Sequence, residues 1–294
     1  MDYDILMVGH ISKDILIDHE GVRQELIGGA VVYSSFAAAC SKNKVKVVTK
    51  LSLKDSSILE DLQREGIDWE VLGSRASTSI RNTYYTADKE RRKVELVSQA
   101  DPFILGDLET EVASIYHLAG LFAGEIPDSF IEPLSKRGLV ALDAQGVLRC
   151  LDSEGNLAFN DWDRKRKLLP LVTFFKTDAA EAEILTGFSD RRMAALTLNR
   201  WGAKEVMLTH NSEVLVCADK KFFTAPFTNT NNSGRTGRGD TTFAAYLAWR
   251  KDHGIEESTS YAAALCSIKM ENPGPFKGTS TDVLNRIRND KNIS

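Results

Sequence analysis

The 294-residue sequence has only four cysteines (Cys40, Cys150, Cys217 and Cys266), and no two of them form a CxxC unit. Zinc knuckles and dense disulfide frameworks need closely spaced cysteines, so we predict free thiols in a reducing cytosol. No apolar run approaches the ~18 residues of a membrane helix. The first residues carry acids where a secretory signal carries bases. These absences predict a soluble cytoplasmic protein without a membrane partner.

An excess of basic residues is also lacking. The 37 Lys and Arg residues face 41 Asp and Glu residues, which gives a formal net charge of −4. Proteins that bind nucleic acid over their whole surface are usually basic, so nucleic acid is disfavoured as a partner. Apolar residues make up 43% of the chain and charged residues 27%, as in globular proteins.

The hydrophobic pattern predicts an α/β fold. Beyond residue 102, short strand-like runs alternate with helical segments, which indicates parallel strands in a sheet covered on both faces. Two amphipathic β segments, about 11–27 and 78–98, do not fit that alternation. We interpret them as a small antiparallel piece inserted into one domain spanning 1–294, with a charged turn at 88–90. Residues 56–65 are predicted as a helix and 143–163 mostly as loop.

A glycine-rich turn leads directly into a helical segment late in the chain. Residues 231–245 read NNSGRTGRGDTTFAA. Glycines let successive backbone N–H groups point at one spot, and a helix N-terminus adds partial positive charge there. Arg235 and Arg238 add two full charges. The sequence therefore predicts an anion site at this turn, most naturally for phosphate.

Asp240 ends the turn and carries a charge that an anion site would repel. One interpretation is a helix N-cap, which stabilises a helix by about 1 kcal/mol. The other is a general base that takes the proton from an attacking hydroxyl. The two roles are compatible, and the short GxGD pattern alone favours the cap.

Three motifs resemble those of the ribokinase-like (PfkB) carbohydrate kinases, in the same order and spacing. They are Gly28-Gly29 before a small-residue helix, the acidic stretch 178–181 before 184–187, and the late glycine turn. The resemblance covers almost the whole chain. It implies a ribokinase-like α/β fold, with a mostly parallel central sheet flanked by helices and the two inserted segments forming a small antiparallel β lid over the sugar.

The resemblance also implies an ATP-dependent kinase that uses Mg²⁺. The turn aspartate, Asp240, would be the catalytic base, and the backbone amides of Gly237, Arg238 and Gly239 would form the anion hole. Glu181 would orient the Mg²⁺ through water, because this ion keeps several waters. A solvated glutamate in the first turn of a helix is the alternative interpretation of Glu181.

Two residues depart from the family pattern. The family usually has alanine where this chain has Arg238, so this side chain either reaches the donor phosphates or points to solvent. The family also usually has an aspartate near Gly234 that is connected with a monovalent-cation site. Potassium activation is therefore not carried over to this chain.

The resemblance distributes the remaining contacts between acceptor and nucleotide. Acceptor contacts are implied or plausible at Asp14, Gly28, Gly29, Tyr33, Asp143 and Gln145, and nucleotide contacts at Lys176, Thr209, Arg235 and Asn272. Tyr33 replaces an asparagine of the family, which argues against ribose or a plain ketohexose and for a different polyol. Asp143 and Gln145 follow a strand, where α/β sites usually lie, but a turn held by the aspartate explains them equally well.

Three functions remain open from the sequence. Residues 143–146, 234–240 and 272–275 resemble a divergent bacterial and archaeal branch in which myo-inositol kinase activity is expected. The leading prediction is thus an ATP-dependent kinase of a small sugar or polyol. A nucleoside kinase of the same superfamily is the second candidate, and a non-catalytic sugar- or nucleotide-binding regulator is the third. A homodimer is left open.

Overall fold

The computed structural model describes residues 2–86 and 92–293. The strands are β1 (Tyr3–Val8), β2 (Ser12–Ile17), β3 (Arg23–Gly28), β4 (Val45–Leu51), β5 (Ile67–Gly73), β6 (Thr78–Tyr84), β7 (Arg92–Ser98), β8 (Ala113–Leu118), β9 (Leu139–Asp143), β10 (Arg149–Leu151), β11 (Leu157–Phe159), β12 (Phe174–Asp178), β13 (Glu205–Thr209), β14 (Glu213–Ala218) and β15 (Lys221–Pro226). The α-helices are α1 (Ala30–Ala39), α2 (Ile131–Ser135), α3 (Gln145–Leu148), α4 (Lys165–Leu168), α5 (Ala179–Thr186), α6 (Arg191–Arg200), α7 (Arg238–Arg250), α8 (Ile255–Met270) and α9 (Ser280–Ile293). The 3₁₀-helices are Leu53–Leu62, Leu105–Leu108, Asp128–Phe130 and Leu169–Leu171.

A large, mostly parallel sheet forms the body of the protein. Its order, among the described residues, is β15-β14-β13-β12-β9-β8-β1-β4-β5, and every pair from β13 to β5 is parallel. The central strands are buried on both faces, which explains their continuous apolar runs. One face packs on α1, α7 and α8, and the other on α2, α5 and α6. No helix in these residues is long and apolar enough to cross a membrane.

Helix α1 lies between the sheet and α7, and most of its side chains are small. All ten of its residues are buried, and bulkier side chains would hold the two helices apart. Gly29 precedes the helix with a φ of 103°, and a Cβ there would lie 2.4 Å from the carbonyl oxygen of His10. Only glycine fits this conformation and this approach. The start of α1 is thereby fixed beside the carboxyl end of β1.

The second sheet is small and separate, as predicted for the two inserted segments. Its order within the described residues is β3-β2-β6-β7. The outer pairs are antiparallel, whereas the central pair, β2 with β6, is parallel. The predicted charged turn at 88–90 lies outside the described residues. The predicted ribokinase-like architecture of a large sheet, flanking helices and a small second sheet is confirmed.

Two local predictions were wrong. Residues 143–163 are not mostly loop, because they contain α3 and the β10–β11 hairpin. Residues 56–65 are not an α-helix: the 3₁₀-helix Leu53–Leu62 covers most of them, and the edge strand β5 follows. The hairpin β14–β15, which the sequence interpretation did not identify, turns at Asp219 and Lys220, with φ values of 48° and 63°. Two successive positive φ values are typical of a tight two-residue hairpin.

Candidate active site

A buried ion pair lies at the carboxyl ends of two adjacent strands. Asp143 ends β9, and Lys176 of β12 is its partner in the register. The ammonium nitrogen of Lys176 lies 3.1 Å and 3.0 Å from the two carboxylate oxygens of Asp143, and both side chains are buried. Burial alone would lower the pKa of Lys176, but Asp143, Glu181 and Asp240 together raise it. Lys176 is therefore a permanent positive charge at this edge.

The acidic motif forms a capping box at the start of α5. Asp178 is the N-cap and accepts from the Glu181 amide at 2.8 Å, while the Asp178 amide donates to Glu181 Oε2 at 2.8 Å. The Glu181 side chain is buried, so the interpretation of it as solvated does not hold. Burial raises the pKa of Glu181, and Lys176 opposes that shift. In the described residues, no group of three or more acidic, histidine or cysteine side chains could hold a metal ion.

The start of α7, at the end of the glycine turn, lies next to Lys176. Helix α7 begins at Arg238, with Gly237 as its N-cap in the left-handed conformation at φ 76°. A Cβ on Gly239 would lie 3.0 Å from the Lys176 ammonium nitrogen, so a larger residue there would crowd it. The amide of Arg238 donates to the carbonyl of Arg235 at 3.2 Å. The Arg238 amide, which was predicted to belong to the anion hole, therefore has a partner within the turn, and its contact with a ligand stays a prediction.

Asp240 is the third residue of α7, not its N-cap. The interpretation of Asp240 as the capping residue is therefore wrong, although its charge still lies in the first turn, where it is favourable. Burial and the neighbouring Asp143 carboxylate raise the pKa of Asp240, while Lys176 and Arg149 act against that rise. A carboxylate with a raised pKa between two cations has the environment of a general base.

Two arginines of the turn converge on one side chain. Arg238 donates to Asn211 Oδ1 at 2.8 Å, and Arg235 reaches the same oxygen at 3.5 Å. Burial, together with the charge of Arg235, lowers the pKa of the Arg238 guanidinium. The Arg238 side chain is thus half-buried and held by Asn211. The result is a concentration of positive charge at the turn, beside Asn211.

Among the predicted acceptor residues, Tyr33 lies near the carboxylates of both Asp14 and Asp240. A Cβ on Gly28 would lie 2.4 Å from Asp14 Oδ2, so the bare backbone at Gly28 is required by the Asp14 carboxylate. Tyr33 is buried, and burial followed by the Asp14 and Asp240 carboxylates raises its pKa. The Tyr33 ring also packs on Gly237, where a Cβ would lie 2.2 Å from its Cγ. Tyr33 therefore connects the predicted acceptor side with the turn.

Several predicted contacts have other partners in this structure. Gln145 donates to the Gly120 carbonyl at 3.2 Å, and the Asn272 amide group donates to the Ile268 carbonyl at 3.1 Å. Thr209 is buried at the end of β13. Ligand contacts by these three residues stay predictions, as does a direct acceptor contact by Asp143.

Sequence reasoning missed three residues at this site: Asn211, Arg149 and Lys269. Asn211 holds the two turn arginines, and Arg149 is close enough to lower the pKa of Asp240. Lys269 donates to the carbonyls of Gly234 and Thr236. Only Lys269 carried a signal, because a lysine interrupts the apolar run of a buried helix. Asn211 lies in a turn and Arg149 in a short strand, and such segments show no hydrophobic periodicity in the sequence.

Comparison with known proteins gives a consistent set of relatives. The chain matches the pfkB family carbohydrate kinases over residues 4–282. It is similar to a solved pyrophosphate-dependent kinase of the ribokinase family in complex with a pyrophosphate analog and myo-inositol, with 36% identity, 96% of this chain and 99% of that chain covered, and a TM-score of 0.88. A second solved structure concerns the conversion of a pyrophosphate-dependent myo-inositol-1 kinase into a myo-inositol-3 kinase, with 36% identity, coverage of 98% and 99%, and a TM-score of 0.87.

More distant relatives bind other substrates. Ribokinase of Arabidopsis thaliana, solved with ribose and ATP, has 19% identity, coverage of 98% and 99%, and a TM-score of 0.76, which shows the shared fold. A cytidine kinase of Thermococcus kodakarensis is 25% identical over 255 residues, which is 83% of this chain and 87% of that protein.

Proposed function

Because the chain belongs to the pfkB family of carbohydrate kinases, we propose that it transfers a phosphoryl group to a hydroxyl of a small polyol of the myo-inositol type, with inorganic pyrophosphate as the donor. The observation that carries this proposal is the arrangement around Asp240, with cations on the donor side and Asp14 and Tyr33 on the acceptor side. Phosphoryl transfer needs positioning and charge neutralisation, and this arrangement supplies both.

Asp240 is the general base of the proposed reaction. It accepts the proton of the attacking hydroxyl, and the oxygen then forms its bond to phosphorus as the bond to the donor's leaving phosphate breaks. The amides at Gly237 and Gly239 and the buried Lys176 stabilise the charge on the transferred group. Asp14 binds acceptor hydroxyls beside the bare backbone of Gly28.

The donor side favours pyrophosphate over the ATP expected from the sequence. Pyrophosphate has no nucleoside to anchor it, so its binding energy must come from its charges. Arg235 and Arg238 place two guanidinium groups at one oxygen of Asn211, and guanidinium binds phosphate oxygens bidentately. The kinases at 36% identity use the same donor. ATP remains the alternative donor.

Glu181 is the carboxylate that fits a magnesium ion. One of its oxygens is held by the Asp178 amide, and Mg²⁺ takes its remaining ligands from phosphate oxygens and water. The ion would neutralise donor charge at this edge. We expect chelation with EDTA to abolish turnover and added Mg²⁺ to restore it. Glu181→Gln should need at least about tenfold more Mg²⁺ for half-maximal activity, whereas an unchanged requirement would remove Glu181 from this role.

The small sheet serves as a lid over the acceptor. It carries Asp14 on β2, and its closure would exclude water that competes with the polyol hydroxyl for the phosphoryl group. The ends of β2 and β3 join the body near Gly9 and Gly29, so a movement of the sheet would carry Asp14 towards Asp240.

A matrix of donors and acceptors tests the proposal. Pyrophosphate and ATP are each combined with myo-inositol, ribose, fructose, fructose phosphates and cytidine, and phosphorylated product is measured. We expect the highest kcat/KM for pyrophosphate with myo-inositol. A preference for cytidine, the substrate named for the 25% identical relative, would establish the nucleoside kinase alternative. If the protein binds these compounds but phosphorylates none of them with either donor, the non-catalytic regulator is favoured.

A further inference from the structure

Lys269 is a buried lysine that donates to backbone carbonyls of the glycine turn. It lies one residue before the end of α8 and is only 2% exposed. Its ammonium donates to two backbone carbonyls, those of Gly234 and Thr236. It also lies 5.0 Å from the centroid of the Tyr33 ring, within the range of a cation–π contact. Burying a lysine among neutral groups is costly, so a structural reason alone is a weak explanation for it.

Both carbonyls belong to the turn that ends in Asp240. The Gly234 amide donates to the Met270 carbonyl at 2.8 Å, and a Cβ on Gly234 would lie 1.9 Å from the Asn272 carbonyl oxygen. The end of α8 and the first half of the turn are therefore in close contact. Lys269 thus binds the carbonyl oxygens of two peptide units of the turn. The amide of the first unit, on Arg235, donates to the Asn232 carbonyl. The second unit carries the Gly237 amide, which is proposed above to face the phosphoryl group.

The surroundings of the Lys269 ammonium resemble a cage for a small cation. Carbonyl oxygens and an aromatic face attract a positive charge of either kind, a metal ion or an ammonium. Burial lowers the pKa of Lys269 to about 8, while the Cys266 and Asp240 side chains act to raise it. The Asp240 carboxylate is thus close enough to act on the charge of Lys269.

We propose that Lys269 is a built-in cation that positions the anion-binding turn, so that the protein needs no external monovalent cation for phosphoryl transfer. The proposal rests on the proposed function, because it concerns the same turn. Lys269 is a positioning residue, since it acts on the reacting groups through the backbone of 234–237. Its charge orients the Thr236–Gly237 peptide unit, whose amide is proposed to receive the phosphate.

The first test removes the charge but keeps the apolar stem. Lys269→Met is compared with the matched control Lys277→Met, which alters an exposed lysine eight residues further along. We expect Lys269→Met to lower kcat by at least about tenfold, with the KM for the polyol within about twofold of wild type and the control unchanged. If Lys269→Met does not fold, Lys269→Gln, which retains two donors, is expected to show the same loss. A loss below about twofold in a folded variant would overturn the proposal.

The second test supplies a cation from outside. Wild-type turnover should be the same in potassium, sodium and tetramethylammonium salts, whereas Lys269→Ala, which opens space at the cage, should regain at least about fivefold in ammonium or potassium. Tetramethylammonium, which is too large for the cage, should give no recovery. Strong potassium activation of the wild-type enzyme, or a Lys269→Ala variant that no small cation rescues, would overturn the proposal.

A binding measurement separates this proposal from the proposed function. Methylene diphosphonate, a non-hydrolysable pyrophosphate analog, should raise the thermal unfolding temperature of the wild type and of Lys277→Met, but not that of Lys269→Met. If wild type binds the analog and no acceptor is phosphorylated, the proposed function fails while the role of Lys269 is still supported. If the analog stabilises Lys269→Met as strongly as wild type, the positioning role fails.

Discussion

Arg238 and Asp240 stand two residues apart on the first turn of α7 and carry opposite charges. The side chain of Arg238 is held by Asn211 and its backbone amide by Arg235. At the scale of single residues, the central question is therefore which of these groups touch the donor and which only shape the turn.

Arg238→Ala addresses the donor side. We expect kcat/KM for the phosphoryl donor to fall by more than about tenfold, equivalent to about 1.4 kcal/mol. Arg238→Lys should not restore it, because an ammonium cannot bind two phosphate oxygens in the same way. Arg200→Ala, at an exposed arginine of α6, is the control. A loss below about twofold with intact folding would mean that the Arg238 side chain does not bind the donor.

The pH dependence of turnover tests the surroundings of Asp240. The base works only when ionised, so kcat/KM should fall as the pH drops through the Asp240 pKa. Burial and Asp143 raise this pKa, so the acid limb should lie above the ordinary aspartate value of about 4. Asp143→Asn removes a repelling charge and frees Lys176 to favour the ionised base. The acid limb of this variant should therefore move to lower pH.

The control for that shift is Asp252→Asn, at an exposed carboxylate beyond the end of α7. It should leave the acid limb where it is in wild type. A limb that stays unchanged in Asp143→Asn, or moves to higher pH, would contradict the assignment of the limb to Asp240.

At the scale of elements, the start of α7 depends on its contact with α1. Gly237 and Gly155 share nearly the same left-handed φ, 76° and 79°, so alanine at either costs about 1–2 kcal/mol in strain. A Cβ on Gly237 meets the Tyr33 ring, whereas one on Gly155 has nothing within 4 Å. Overpacking adds about 1–3 kcal/mol. Gly237→Ala should therefore lower the free energy of unfolding more than Gly155→Ala, as measured with urea.

The same comparison separates strain from packing. Equal losses of stability in the two variants would mean that the Tyr33 ring moves aside without cost, and that α1 does not fix the turn. A larger loss in Gly237→Ala, accompanied by lower turnover, would show that α1, through Tyr33, holds the turn in its anion-binding shape.

The sequence predicted the elements that are long or strongly patterned. The strand-like runs predicted beyond residue 102 include β9 and β13, in which apolar residues lie between polar ones. The edge strand β5 was not identified, since an edge strand is half-exposed and lacks a clean alternation. The hairpin of β10 and β11 has three residues in each strand, which is too short for any period to appear.

The candidate site was predictable where a motif carried it. Residues 178–181 and 234–240 were identified from their glycine and acidic patterns and lie together around Lys176. Asn211 and Arg149 come close to them only through the fold, from a turn and a short strand. The N-cap role of Asp240 was predicted from the cap preferences of aspartate, but the left-handed Gly237 begins the helix earlier and takes that position.

At the scale of the whole molecule, the resemblance to the PfkB kinases is confirmed. The residues proposed to bind the acceptor, Asp14 and Gly28, lie where the small sheet joins the body, and those proposed to bind the donor, Arg235 and Arg238, lie at the start of α7. Asp240 lies on the first turn of α7 and its charge acts on Tyr33, so the account depends on this one carboxylate as the base of the transfer.

Phosphorus NMR of wild type and Asp240→Asn, each with pyrophosphate, Mg²⁺ and myo-inositol, tests this claim most directly. Wild type should produce inositol monophosphate and orthophosphate in equal amounts. Asp240→Asn should fold normally, bind methylene diphosphonate and lose kcat by roughly 10²-fold or more, the usual scale for a general base. A folded Asp240→Asn variant with turnover near that of wild type would contradict the account.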